Sequence, residues 1–198
     1  MHGLINRSIQ CFLRDTYGAP VWARIVREAG LGFDSFETML TYDAALTDAV
    51  LQAAAHVLGK PRDYVLEDLG TYLVTHENTQ AVRRLLRFGG VSFADFLHSL
   101  EDLPGRARLA LPDIELPLLD LQDHSPRDFT LVCRSPLAGV GHVVVGLLRA
   151  MADDYGVLSV VEHQGSCPGG EIIAVTLAET AFAKGRRFAL ARDGQGHA

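Results

Sequence analysis

The sequence predicts an α+β fold: an N-terminal helical subdomain of about six helices, then a four-stranded, mostly antiparallel sheet carrying one long helix. Three observations point there. Apolar residues recur at helical spacing through the first hundred positions. After Pro104-Gly105 the pattern changes to short apolar or alternating runs divided by turn residues. One long apolar stretch, Leu137 to Ala152, falls between the two pairs of predicted strands.

The elements follow in order. Ile5, Ile9, Phe12 and Leu13 give a first helix to Asp15, broken by Tyr17-Gly18-Ala19-Pro20. Trp22, Ile25, Val26 and Ala29 form a second stripe, ended by Gly30 and Gly32. A third helix spans Ala45 to Leu58 and stops at Gly59-Lys60-Pro61. The fourth and fifth run from about Arg62 to Thr75 and from about Thr79 to Arg87. Ser92 and Asp95 supply a capping pair for a sixth, with Phe93, Phe96, Leu97, Leu100 and Leu103 on one face, and Pro104-Gly105 is expected to stop it. Leu116–Leu121 and Asp128–Arg134 flank Asp123-His124-Ser125-Pro126 as a hairpin. Ala138–Tyr155 is the long helix, and strands over Gly156–His163 and Glu171–Leu177 meet at the turn Gly165–Gly170.

Composition bounds the function. The chain has 198 residues, 48% hydrophobic, with 18 basic against 24 acidic side chains and a net charge of −6, so a strongly basic nucleic-acid binder is disfavoured. Residues 1–178 read as one domain and 179–198 as a basic, loosely attached tail. The longest apolar stretch contains His142 and Arg149 and is too short to span a membrane. No signal peptide is apparent, and a cytoplasmic protein with three reduced, unpaired cysteines is expected.

Met1-His2-Gly3-Leu4-Ile5, Tyr17-Gly18, Trp22, Tyr42-Asp43, Ala53-Ala54, Leu58-Gly59, Gly70, Phe96–Leu103 and Leu116-Pro117 stand in this order along the chain. Together they resemble the heme nitric oxide/oxygen-binding (H-NOX) family. The resemblance covers roughly residues 1 to 178. It implies a heme pocket, gas sensing, and signalling through a partner such as a histidine kinase or a cyclic-dinucleotide enzyme. It also places the heme-ligating histidine directly after the Phe96–Leu103 stretch, where this chain has Pro104. Proline offers no donor nitrogen. The family's Tyr-x-Ser-x-Arg propionate clamp falls on Cys133, Ser135 and Leu137, and only Ser135 matches. A thiol cannot replace the phenol, nor leucine the guanidinium. Arg134 is one pleat out of register.

The resulting expectation is a sensory or regulatory domain, not an enzyme, without heme bound in the family's way. The alternative is a genuine heme sensor with a substitute axial ligand. An apolar small molecule would instead meet pocket walls carried over as Ile5, Leu97, Leu100, Leu103, Pro117 and Leu147. His98 lies about 120° round the helix from position 104 and is expected to face solvent. His142 reads as a capping or solvated residue, and Cys133 as a buried strand cysteine. His163 and Cys167 are two zinc-type donors four apart, too few for a structural site, so no metal is expected. Asp15, Glu28, Glu37, Asp43, Glu67 and Asp68 read as solvated faces, and no catalytic constellation appears.

Overall fold

The computed structural model of the chain describes residues 1–178, so the predicted basic tail lies outside the described residues. Helices α1 (Gly3–Tyr17), α2 (Ala19–Glu28), α3 (Ala44–Leu58) and α4 (Arg62–Thr75) come first. A 3-10 turn over Glu77–Thr79 leads to α5 (Gln80–Arg87), α6 (Phe93–His98) and α7 (Leu103–Ala110). Strands β1 (Leu118–Asp123) and β2 (Asp128–Arg134), helix α8 (Val140–Tyr155), and strands β3 (Ser159–Cys167) and β4 (Gly170–Leu177) complete the fold.

The expected α+β class holds, but the sixth helix does not run through to Leu103. The Ser92–Asp95 capping box opens α6 as anticipated, and the helix ends at His98. The Ser99 N–H then shares the Asp95 and Phe96 carbonyls, and Leu100 and Leu103 bond back three residues instead of four. This tightened turn ends at α7, where Pro104 occupies the first helical turn. A missing N–H costs nothing there, because that donor has no partner inside the helix. Pro104 therefore starts a helix where it was expected to stop one. Pro20 does the same for α2.

The sheet order is β1-β2-β4-β3, antiparallel throughout. Its register aligns Leu119 with Cys133, Leu131 with both Leu121 and Ile173, and Phe129 with Val175. Period-two alternation turns Leu119, Phe129, Leu131, Cys133, Ile173 and Val175 to one buried face. They join Val144, Val145, Leu148 and Met151 of α8 and Phe93, Phe96, Leu97 and Leu100 in one apolar cluster. A second cluster gathers Ile9, Phe12 and Leu13 of α1, Trp22 and Ile25 of α2, Val50 and Leu51 of α3, and Val65, Leu66 and Leu69 of α4.

Helices α4 and α8 join the two clusters, and glycine sets their distance. A Cβ on Gly70 would lie 2.0 Å from the Val143 carbonyl oxygen, and one on Gly146 would lie 1.9 Å from that of Glu67. The two backbones touch, and hydrogen is the only side chain that fits at either position.

Candidate functional site

The positions that the resemblance assigns to heme can now be placed. Pro104 is buried in the first turn of α7. Beside it, Leu97, Leu100 and Leu103 belong to the sheet-side cluster, and half-buried Leu147 packs against the same cluster. Ile5 packs against the helical cluster instead, and Pro117 is half-buried just before β1. The carried-over walls other than Pro117 are thus divided between the two clusters rather than gathered in one.

Cys133 is buried at 1% exposure on the core face of β2. Burial, and then the neighbouring Glu171 carboxylate, push its thiol up to about 12, so it is protonated and uncharged at neutral pH. Cys133 is thus a buried strand cysteine. Arg134 is exposed and forms an ion pair with Asp120 across the β1–β2 ladder, in keeping with its pleat. The Ser135 hydroxyl accepts the Leu137 N–H at 3.2 Å and so braces its own loop. Leu137 packs against the helical cluster. His98 stands 3.7 Å from Asp123 with its side chain about half exposed, its ring edge against Phe129. At the assigned positions there is therefore no imidazole at 104, no phenol or thiolate at 133, and no cation at 137. The residues present do not fit a heme held as the family holds it.

A different constellation assembles on the other side of α8. His142, in the first turn of that helix, stacks on His163 of β3 with ring centroids 4.1 Å apart and planes 17° from parallel. His142 is neither a cap nor solvated, which corrects the expectation. The α8 N-cap is Gly139, which makes no side-chain cap bond, and the imidazole is half-buried against Glu67 of α4, 3.3 Å from its Nδ1. Asp63 lies 3.6 Å from its Nε2. His163 Nε2 meets Glu171 Oε2 at 2.9 Å, and the other oxygen of Glu171 accepts the Gly139 N–H at 3.0 Å. Arg149 donates to Glu67 at 2.7 Å and to the Val161 carbonyl. Glu67 is thus a structural partner and not a free solvated carboxylate. Asp15, though exposed, also has structural partners: it accepts the Tyr72 hydroxyl at 2.6 Å and the Asn78 amide at 3.1 Å. His142 and His163 lie 21 residues apart and come together only through the turn into α8 and the β3–β4 pairing, so no local spacing marks them.

Comparison with known proteins gives the family. The Haem-NO-binding family model matches residues 2–163. Among solved structures, the unliganded Fe(II) H-NOX protein from K. algicida superposes with a TM-score of 0.78 at 18% identity, covering 92% of this chain and 99% of that one. The S. oneidensis H-NOX protein in its Fe(II)NO state gives 0.74 at 18% identity, covering 90% and 100%. Curated relatives include soluble guanylate cyclase 89Da of Drosophila melanogaster, 22% identical over 86% of this chain. Soluble guanylate cyclase gcy-31 of Caenorhabditis elegans is 26% identical over 78% of it. The alignments cover 26% and 22% of those two cyclases, so the chain spans about a quarter of their length. The fold is that of the H-NOX proteins. The chain belongs to the Haem-NO-binding family.

Proposed function

We propose that this chain is an H-NOX-type sensory or regulatory domain that acts through a partner protein and does not hold heme in the family's way. The observation that carries the reading is Pro104, buried in the first turn of α7 at the position of the ligand imidazole. The loss of the cation at Leu137 and the uncharged thiol of Cys133 support it independently. An iron porphyrin needs an axial donor and a partner for its propionates, and neither motif supplies one.

The partner belongs to signalling chemistry, such as a histidine kinase or a cyclic-dinucleotide enzyme, and the setting is the cytoplasm. No helix among the described residues is long and apolar enough to cross a membrane. Any ligand is an apolar small molecule lodged against Leu97, Leu100, Leu103 and Leu147, and native mass spectrometry of the purified chain would report its mass.

The deciding measurement is the absorption spectrum of protein expressed with heme precursor and then titrated with hemin. The expected result is a colourless chain with no Soret band and no saturable uptake. A stoichiometric Soret band would overturn the reading in favour of a heme sensor with a substitute axial ligand.

A further inference from the structure

We propose that the outer face of the sheet is the docking surface for the chain's own basic segment 182–192. Helices α6 and α8 cover the opposite face, which holds Leu119, Leu131, Ile173 and Val175. On the outer face the register sets Asp120, Val132, Ile172 and Gly165 in one row, Gln122, Thr130, Ala174 and Glu162 in the next, and Asp128, Thr176 and Val160 in a third. Val132, Ile172, Ala174 and Val160 belong to neither apolar cluster. Val160 is 54% exposed, and Leu118 and Leu158, on the same side by alternation, are 50% and 72% exposed. Exposed apolar side chains gathered on one face mark a contact surface. Side chains already hold the sheet edges, which disfavours strand addition. The Glu101 carboxylate accepts the Leu121 N–H at 3.0 Å on β1, and Arg149 donates to the Val161 carbonyl at 2.8 Å on β3.

Charge selects the occupant. The outer-face rows hold Asp120, Asp128 and Glu162, and the cation on that face, Arg134, is taken up by Asp120. Arg127 and His124 lie in the β1–β2 turn at its end. Beyond the described residues the sequence carries Lys184, Arg186, Arg187 and Arg192 against Glu179 and Asp193, with Phe182, Phe188 and Leu190 among them. Cations interleaved with aromatic and aliphatic side chains complement an acidic face with an apolar middle. The chain also leaves β4 beside this surface: the Leu177 N–H bonds to the Arg127 carbonyl and the Ala178 N–H to that of Leu158. Four strands about 4.8 Å apart make a face about 15 Å wide, and residues 182–192 extended reach about 36 Å, so the segment can fold back over the face after a short turn. The tether holds it at an effective concentration of about a millimolar, so a contact with a Kd of about 0.1 mM is about nine-tenths occupied. The docked segment covers the apolar rows, and a partner that uses this face must displace it.

The test follows amide hydrogen exchange in the full chain at low protein concentration and low salt. Amides of 182–192 are expected to exchange about tenfold more slowly than the same residues in a synthetic 179–198 peptide. Arg186→Glu with Arg187→Glu, and separately Val160→Asp with Glu162→Lys, should each remove most of that protection. Val160 and Glu162 are exposed, so the second pair should leave the fold intact. Carbodiimide cross-linking of the unsubstituted chain gives a reading that no misfolded variant can hide. Lys184 is one of two lysines in the sequence, and its zero-length links should fall on Asp120, Asp128 or Glu162, as read by peptide mass spectrometry. Exchange as fast as in the peptide, protection unmoved by both variant pairs, or Lys184 links on carboxylates of α1 to α4 would each overturn the proposal. Protection that rises with protein concentration would overturn it by assigning the segment to the sheet of a second copy. Protection that appears only with anionic lipid vesicles would overturn it in favour of a membrane surface.

Discussion

Gly146 shows how much one side chain decides. Alanine is the better helix former by about 1 kcal/mol, yet a methyl group there would sit 1.9 Å from the Glu67 carbonyl oxygen. Overpacking against a backbone that cannot yield costs about 1–3 kcal/mol. Gly146→Ala is therefore expected to lower stability by about that amount in urea denaturation. Gly105, in α7 with nothing within 4 Å of its virtual Cβ, should respond in the opposite sense. Gly105→Ala is expected to raise stability by about 0.5–1 kcal/mol, and a loss would show that the α7 turn is strained. Cys133 gives a chemical counterpart. Its folded pKa of about 12 lies above the ordinary value of 9.0, so burial of the neutral thiol favours folding below about pH 9. That contribution is lost as pH rises through 12. Alkylation at pH 8 should leave Cys133 unmodified in the native protein and modify it in urea, as read by peptide mass spectrometry. At this scale the sequence disclosed Pro104 and Leu137, because each is a chemical mismatch visible without coordinates. It concealed His142, His163 and Glu171, whose meeting depends on a helix start and two strand registers.

Among elements, the helices were legible where apolar periodicity and glycine or proline punctuation agreed, as in α1 to α4. The boundary of α6 was not, because Leu100 and Leu103 are buried in a tight turn as completely as they would be on a helix face. Burial pattern alone does not separate the two. Helix α7 is hidden in the sequence because Pro104 reads as a terminator, although Asp102 before it is a residue type that favours helix starts. A second interaction between elements lay beyond periodicity altogether. Asp15 near the end of α1 receives the Tyr72 hydroxyl from α4 and the Asn78 amide from the following turn. The bond from Tyr72, more than any other contact, holds the Asp15 carboxyl below its ordinary range. A depressed carboxylate contributes stability above the unfolded value of about 3.9 and loses it as pH falls through the lower folded value. The native chain should accordingly lose stability between pH 5 and about pH 3 more steeply than Asp15→Asn. Urea midpoints at the two pH values would measure this, and parallel slopes would remove Asp15 from the acid response. Asp15→Ala leaves the phenol of nearly buried Tyr72 without this acceptor and is expected to cost about 1–2 kcal/mol at neutral pH.

Across the described residues, two apolar clusters are joined where α4 crosses α8. Helix α4 gives Val65, Leu66 and Leu69 to the helical cluster and Val74 to the sheet-side one. Helix α8 lies in the sheet-side cluster, while Val143 on its first turns packs against the other. The touching backbones at Gly70 and Gly146, with the Arg149–Glu67 ion pair beside them, hold the two clusters against each other. In a sensory domain that crossing is also the natural route by which an event at one cluster reaches the other, since coupling requires an element whose packing both sides share. The chain carries its own reporters. Trp22, the single tryptophan, is buried in the helical cluster, and Cys133 is buried in the sheet-side cluster. Urea unfolding followed by Trp22 emission and by Cys133 labelling should give coincident midpoints in the native sequence, as a single cooperative unit requires. Gly146→Ala, which forces the helices apart at the crossing, should separate those midpoints. Separate midpoints in the native sequence, or coincident ones in Gly146→Ala at reduced stability, would show that the clusters are coupled by some contact other than the α4–α8 crossing.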